Sequence, residues 1–153
     1  MINIEVKDLP TSKSLYNRAL VLQSFYPNLM ITAESEVLAE DVELLQKAFD
    51  DLAQNKSEFY CGSGAAPLRF LAIRLSRLEG AFKIKGTERL FSRPQEDLLN
   101  ILKQLGCQDL QFEKDSLSFH SPGKWPEELT VNTESTSQIL SGLMLASWNL
   151  EKS

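Results

Sequence analysis

The pattern of apolar positions begins with strict alternation and then changes to helical spacing. Residues 2–6 alternate apolar and polar side chains, which predicts a half-buried strand. After Ser12, a favourable N-cap residue, apolar positions recur every three or four residues until Pro27, which predicts a helix. The chain therefore opens with a strand followed by a helix.

The same alternation continues along the rest of the chain. Further strands are predicted over 29–32, 58–61, 81–85, 110–112, 117–119 and 129–131, with a hairpin between 110–112 and 117–119. Further helices are predicted over 37–52, from the turn at 62–64 to about Leu78, from Pro94 to near Gly106, and over 135–149. This order predicts an α/β (or α+β) fold in one domain over residues 1–153, with helices covering sheets.

The order of elements also predicts a repeated unit. A β-α-β-α-β order over residues 2–61 recurs over 63–119, where it ends in the hairpin. A third round begins at 129 and contains only one strand and one helix. We therefore expect a repeat whose third copy is incomplete.

Composition narrows the classes of partner and cofactor. The 153 residues carry a formal net charge of −5, which disfavours binding to nucleic acid or to anionic membranes. No signal-peptide layout and no apolar run of roughly 18 residues is present, so we expect a soluble, cytoplasmic protein. Cys61 and Cys107 fit no metal or redox spacing, and the single His120 is interpreted as a surface residue at a strand end. A His-rich zinc site is therefore excluded.

Basic residues lie where helix electrostatics disfavour them. Lys13 follows the predicted cap Ser12, at a helix end that carries partial positive charge and is unfavourable for a cation unless an anion binds there. Ser14 and Arg18 are four positions apart and share one face of that helix. These side chains predict an anion-binding site.

Arg93 is a second basic residue in an unexpected position. Pro94 favours the first helical position, which would make Arg93 the cap residue. With Arg89 four positions earlier, two guanidinium groups can bind one carboxylate or phosphate, although both can equally be solvated loop charges.

Two other helix starts are rich in small or hydroxyl side chains. Thr136 and Ser137 belong to a hydroxyl cluster over 133–138, which can bind a phosphate or can simply cap the helix. Residues 62–67 are small, which suits a close approach of the backbone to a ligand or tight helix packing.

These segments, taken in order, resemble the enolpyruvyl transferase family, most closely the enolpyruvylshikimate phosphate synthases. Residues 12–20, SKSLYNRAL, resemble the family pattern S-K-S-x-x-N-R-A-L. Residues 86–94, GTERLFSRP, resemble G-x-x-x-x-x-x-R-P, and residues 135–143, STSQILSGL, resemble S-S-Q-x-L-S-x-L-L. The resemblance spans nearly the whole chain.

The resemblance implies a fold and a reaction. Family enzymes have two domains, each of three β-α-β-α-β-β units, with the active site between them, and this chain resembles the N-terminal half. The reaction transfers the enolpyruvyl group of phosphoenolpyruvate to the 5-hydroxyl of shikimate 3-phosphate in aromatic amino-acid biosynthesis, without a cofactor. A second domain or a separate chain is implied as the partner that completes the cleft.

The resemblance also implies roles for individual residues. Lys13 takes the position that contacts both substrates and contributes to catalysis, Ser14 and Arg18 hold shikimate, and Arg93 binds phosphoenolpyruvate. The remaining residues fall where the family binds shikimate 3-phosphate: Thr136, Ser137 and Gln138.

The chain departs from the family in one motif and in length. The family pattern N-A-G-T-A-x-R becomes SGAAPLR over 63–69, so that Ala65 replaces a Gly beside phosphoenolpyruvate and Ala66 replaces a Thr. The added methyl of Ala65 narrows that site. The acidic residues of proton transfer belong to the other half, so we expect the chain alone to be inactive, whether it is a fragment, a split-enzyme subunit or a reduced binding relative.

Other functions remain open. The related UDP-N-acetylglucosamine enolpyruvyl transferases use a catalytic cysteine loop, and neither Cys61 nor Cys107 lies in a suitable loop. A non-catalytic phosphate-ligand binding or regulatory module is an alternative, as is a structural domain with coincidental motifs.

Overall fold

The structure is a computed structural model that describes residues 12–31, 38–131, 137–147 and 150. Within these residues the helices are α1 (Lys13–Gln23), α2 (Glu40–Ala53), α3 (Ala65–Leu75), α4 (Glu88–Phe91), α5 (Glu96–Gln104) and α6 (Ser137–Ala146). The strands are β1 (Glu58–Tyr60), β2 (Glu79–Lys85), β3 (Gln108–Phe112) and β4 (Ser116–Pro122). The predicted α/β class is confirmed.

The four strands form one sheet in the order β1-β2-β4-β3. β1 and β2 are parallel, because α3 crosses over between them, while β4 is antiparallel to both of its neighbours. The register places Phe82 opposite Phe119, and both side chains are buried. Residues 58–122 have the order β1-α3-β2-α4-α5-β3-β4, so the predicted terminal hairpin is confirmed. The predicted first repeat over 2–61 lacks its middle strand, because residues 29–31 form none.

Helix α3 lies at the centre of the helical layer. Its residues from Pro67 to Leu75 are buried except for Arg69, and it packs against both α1 and α6. Gly142 lets α6 approach closely, since a Cβ there would lie 2.9 Å from Cδ1 of Ile73 and 3.2 Å from Cδ1 of Phe70. The core thus fixes the spacing between α3 and α6.

Two predicted strands are wrong. Residues 29–31 and 129–131 have no strand structure, while Thr32 lies outside the described residues. In each segment a glutamine side chain binds the backbone where a strand would need a sheet neighbour. The amide of Gln23 donates to the carbonyl of Leu29 at 2.9 Å, and Gln104 bonds both the N–H and the carbonyl of Thr130 at 3.1 Å. These backbone groups thus have hydrogen-bond partners without pairing to a neighbouring strand.

Several predicted boundaries also need correction. Helix α3 ends at Leu75 instead of Leu78, because β2 already begins at Glu79. The short helix α4 was not predicted and contains Arg89. The N-cap of α5 is Gln95, so the interpretation of Arg93 as a cap residue is wrong.

Parts of the sequence interpretation lie outside the described residues. These are the strand over 2–6, Val37 and residues 132–136 and 148–149. Within the described part of the chain, no helix is long and apolar enough to cross a membrane. The cytoplasmic compartment and the single domain over 1–153 stay predictions.

Candidate anion-binding site

The first halves of α1, α3 and α6 contact one another through two arginines. Arg18 of α1 donates from Nη2 to Oγ of Ser141 on α6 at 3.1 Å. Arg69 of α3 donates from Nη1 to Oε1 of Gln138 on α6 at 2.7 Å. All four side chains belong to the first seven residues of 10- or 11-residue helices. We call this region the N-terminal end of the helix layer.

The last turns of the same helices meet in a similar way. Arg74 near the end of α3 donates from Nη2 to the carbonyl of Ser24, the C-cap of α1, at 3.2 Å. Arg77, just after α3, donates to the carbonyl of Ala146, the last residue of α6. We call this region the C-terminal end of the helix layer. Because starts meet starts and ends meet ends, α1, α3 and α6 run parallel, and their positive dipole ends point the same way.

The first turns of these parallel helices contain no acidic residue. By contrast, α2, α4 and α5 carry acidic first turns: Glu40, Asp41 and Glu43 in α2, Glu88 in α4, Glu96 and Asp97 in α5. Neither Ser12 before α1 nor Gly64 before α3 makes a side-chain cap bond. The three helices thus supply no negative charge in their own first turns, although Asp41 of α2 approaches the start of α3, where its Cγ would lie 3.1 Å from a Cβ at Gly64. Helix starts without acidic residues of their own suit an anion.

Arg18 is held from three helices. Its Nη1 donates to the carbonyl of Ser14 at 2.8 Å and also to the Ser14 hydroxyl. Its Nη2 bonds Ser141, and its guanidinium lies over the ring of Phe70 on α3, 5.7 Å from the ring centroid. The guanidinium is half-buried and oriented before any ligand arrives. Sequence spacing correctly paired Ser14 with Arg18.

Arg69 is a second half-buried cation at this end. Its Nε is buried and has no hydrogen-bond partner among the described residues. Burial lowers the pKa of Arg69, nearby Asp97 raises it, and the positive charge of Arg93 lowers it. Arg93 is therefore within electrostatic range of Arg69. Arginine stays protonated at neutral pH, so positive charge accumulates here.

The other predicted site residues lie at helix starts or next to them. Lys13 and Ser137 are the exposed first residues of α1 and α6, and Ala65 is the half-buried first residue of α3. Arg93 is exposed just after α4, and Thr136 lies outside the described residues. Their positions agree with an anion-binding end, but their substrate roles stay predictions.

A hydroxyl contact links the start of α3 to the segment that precedes Arg93. Oγ of Ser63 lies 3.0 Å from Oγ1 of Thr87, and the backbone N–H of Thr87 donates to the carbonyl of Gly62 at 2.9 Å. Thr87 also caps α4 by accepting from the N–H of Leu90. These contacts place the two motifs that the sequence analysis treated separately next to each other.

The sequence analysis did not include two residues that the structure brings into this site. Arg69 matches the last position of the family motif over 63–69 but was given no role at the site, and it is one of two arginines in the mainly apolar helix α3. Ser141 is three positions after Gln138, on the same face of α6, but nothing in the sequence links it to Arg18.

The chemistry available at this end is the binding of oxyanions. Both thiols are buried, including that of Cys61 in the turn before α3, and burial raises the pKa of Cys61 to about 12 and that of Cys107 to about 11. Both are therefore neutral at pH 7 and unsuited to nucleophilic attack. Guanidinium groups, hydroxyls and free helix starts instead match phosphate and carboxylate oxygens.

Comparison with known proteins identifies relatives of one kind. The chain is 25% identical over 161 residues to a 3-phosphoshikimate 1-carboxyvinyltransferase of Nitrosomonas eutropha, covering 90% of this chain and 37% of that protein. It is 29% identical over 146 residues to the enzyme of the same name from Bacteroides fragilis, covering 90% of this chain and 33% of that protein. No protein-family model matches the chain.

The fold agrees with a solved structure of the same kind. The EPSP (enolpyruvylshikimate phosphate) synthase of Acinetobacter baumannii superposes with a TM-score of 0.69 at 21% identity, over 91% of this chain and 37% of that protein. The chain thus spans little more than a third of the length of the relatives that it resembles. By sequence and by fold it is a partial EPSP synthase-like chain.

Proposed function

We propose that the chain binds shikimate 3-phosphate at the N-terminal end of the helix layer, as the substrate-binding part of a 3-phosphoshikimate 1-carboxyvinyltransferase. The observation that carries the proposal is the meeting of three parallel helix starts that lack acidic residues. Two half-buried guanidiniums, those of Arg18 and Arg69, lie at the same end. A phosphate neutralises both kinds of positive charge.

The positions of the side chains support a division of roles. Ser137 and the N–H groups that begin α6 bind the phosphate. Gln138, whose Oε1 accepts from Arg69, and the Ser14–Arg18 pair bind the hydroxylated ring. The ligand is then held by charge at one end and by directional hydrogen bonds at the other.

Phosphoenolpyruvate takes a weaker place in this proposal. Lys13 and Arg93 supply only part of the cationic shell that a phosphate and a carboxylate need. The methyl of Ala65, at the first position of α3, narrows the space beside them. In the complete reaction the enolpyruvyl group moves to the 5-hydroxyl of shikimate 3-phosphate and phosphate leaves. The chain alone binds shikimate 3-phosphate better than phosphoenolpyruvate.

Calorimetric titration of the 153-residue chain tests the binding proposal. We expect saturable binding of shikimate 3-phosphate and a 10- to 150-fold loss in Ser137→Ala, equivalent to a charge-assisted bond of roughly 1.5–3 kcal/mol. The matched control is Ser147→Ala, which removes a hydroxyl just beyond the other end of α6. Equal effects of the two substitutions, or tighter binding of phosphoenolpyruvate, would contradict the proposal.

A binding module without turnover is the second candidate, favoured by Ala65 and Ala66 at positions where the resembled motif has Gly and Thr. Titrating phosphoenolpyruvate into the chain saturated with shikimate 3-phosphate separates the two. Uptake of phosphoenolpyruvate supports a transferase part, and its absence supports the binding module. In a phosphate-release assay we expect no turnover from the chain alone, because the resembled enzymes take their proton-transfer residues from the other half.

A further inference from the structure

A cavity of about 780 Å³ lies at the C-terminal end of the helix layer. Its walls include Ser24 after α1, Ala53 at the end of α2 and Leu78 after α3. The 11 residues of α1 separate this end from Lys13 by roughly 16 Å, at about 1.5 Å per residue. The cavity is therefore distinct from the candidate anion-binding site, and its volume falls in the range of small-molecule sites.

Arg74 lines this cavity and is only 8% exposed. Its Nε donates to Oγ of Ser24 at 2.9 Å, its Nη2 donates to the carbonyl of Ser24, and its guanidinium lies 4.0 Å from the ring centroid of Phe25. These contacts fix the plane of the group. Nη1 is buried and has no hydrogen-bond partner among the described residues, which leaves donor capacity unused.

The charge of Arg74 is not matched by a carboxylate. Among the described residues it forms no salt bridge, and the charged neighbour that affects its pKa is a second cation, Arg77. Burial, and then Arg77, lower the pKa of Arg74 to about 10, so it stays protonated at pH 7. A buried cation with a free donor favours an anion as its partner.

The rest of the wall indicates what kind of anion fits. Leu20, Phe49 and Phe82 supply apolar surface. Asp50 and Glu79 are exposed residues of the same wall, and Lys56 of this wall is already paired with a carboxylate of α2 at 2.7 Å. The wall therefore repels a ligand with several negative charges. The combination suits one negative charge on an apolar body and disfavours phosphates.

We propose that this cavity binds a small monocarboxylic acid with an apolar body, with its carboxylate on Arg74. The site lies outside the phosphate-binding end, so the two ligands occupy the chain together. Binding of the acid places its carboxylate beside the guanidinium of Arg74, which has no carboxylate partner among the described residues, and places its apolar atoms against the rings of Phe49 and Phe82.

Benzoate is a suitable probe, with benzyl alcohol as its uncharged match, in titrations of the full 153-residue chain followed by ligand-observed NMR. We expect saturable binding of benzoate, at least tenfold weaker binding of benzyl alcohol, and at least a tenfold loss of benzoate affinity in Arg74→Gln. Lys124→Gln removes an exposed positive charge that does not line the cavity and should leave benzoate binding unchanged.

A second variant keeps the test decisive if Arg74→Gln does not fold. Ala53→Trp fills the cavity from the exposed end of α2 and leaves Arg74 in place, so benzoate binding should be lost. The proposal is overturned if millimolar benzoate shows no saturable binding, if benzyl alcohol binds equally well, or if Ala53→Trp leaves the affinity unchanged. Competition between benzoate and shikimate 3-phosphate would also overturn it, because it would place the acid at the other end of the layer.

Discussion

The two ends of the α1–α3–α6 layer both carry arginines, but the arginines meet opposite ends of the helix dipoles. At the C-terminal end, Arg74 and Arg77 bond the final carbonyls of α1 and α6, where a positive charge is stabilising. At the N-terminal end, Lys13, Arg18 and Arg69 lie in the first turns of helices or one turn further along, where the dipole is already positive. One end combines charges that attract, and the other combines charges that repel.

The cations at the C-terminal end therefore stabilise the fold, whereas those at the N-terminal end are placed to bind an anion. Charges that oppose a helix dipole weaken the fold by a few tenths to about 1 kcal/mol each, and a bound anion reverses that effect. Functional sites are where such local conflicts are expected. We therefore expect substitutions at the C-terminal end to change the free energy of unfolding more than the affinity for shikimate 3-phosphate, and those at the N-terminal end to do the reverse.

The largest effect is expected from Gly142→Val, which should disturb both ends of the helix layer. A Cβ at this position would already meet Ile73 at 2.9 Å, and two further methyls force α6 away from α3. We expect a loss of about 2–3 kcal/mol in the free energy of unfolding, measured in urea, together with weaker binding of shikimate 3-phosphate.

Met144→Val is the matched control for the Gly142 substitution. It places the same β-branched residue on the same helix at a position that is 66% exposed. Its effect should stay within about 0.5 kcal/mol. A loss in Met144→Val as large as that in Gly142→Val would mean that helix propensity, and not packing against α3, causes the change.

Arg74→Gln tests how much the C-terminal end of the helix layer contributes to stability. The substitution removes the guanidinium that bonds both the hydroxyl and the carbonyl of Ser24, in a position that is 8% exposed. We expect a loss of about 2–3 kcal/mol in the free energy of unfolding, with shikimate 3-phosphate affinity of the folded protein unchanged within about twofold. A loss of affinity beyond that would show that the two ends are not independent.

Arg18→Gln is the corresponding change at the N-terminal end. It removes a charged partner of the proposed ligand, so affinity for shikimate 3-phosphate should fall roughly 10- to 150-fold. The free energy of unfolding without ligand should change by less than about 1 kcal/mol, because relief of the opposed dipole offsets the lost bonds to Ser14 and Ser141. Calorimetry and thermal unfolding of the same preparation measure both quantities, and unchanged affinity would refute the proposed role of Arg18.

The sequence predicted the parts of this picture that depend on local pattern. The spacing of apolar positions predicted α1, α2 and the hairpin of β3 and β4, and the turn at 62–64 with the apolar run after it predicted α3. It failed for residues 29–31 and 129–131, where short apolar runs look like strands. The deciding interactions there are side-chain bonds to the backbone, from Gln23 six positions before Leu29 and from Gln104 26 positions before Thr130. Apolar spacing does not report such bonds.

The candidate site shows the same limit. Ser14 and Arg18 could be paired from their spacing, because neighbours on a helix face are four residues apart. The contact between Arg69 and Gln138 joins residues 69 positions apart, and that between Arg18 and Ser141 joins residues 123 positions apart. Such contacts depend on how α6 packs on α3 and α1, which one sequence alone does not specify.

The smallest effect is expected at Ser141, whose contact with Arg18 could not be predicted from the sequence. Arg18 keeps its bonds to Ser14 when the Ser141 hydroxyl is removed, so the guanidinium loses one orienting partner but not its place. Ser141→Ala should therefore lower shikimate 3-phosphate affinity by roughly 2- to 10-fold, as expected for one hydrogen bond worth about 0.5–1.5 kcal/mol. Ser141→Thr retains a hydroxyl and should restore binding, whereas a general packing defect at this position would not be rescued by the larger side chain.

In an Arg18→Gln background, Ser141→Ala should have almost no further effect on affinity, because the two residues act through one bond. Additive losses in the double variant would mean that Ser141 influences the ligand by a route that does not pass through Arg18.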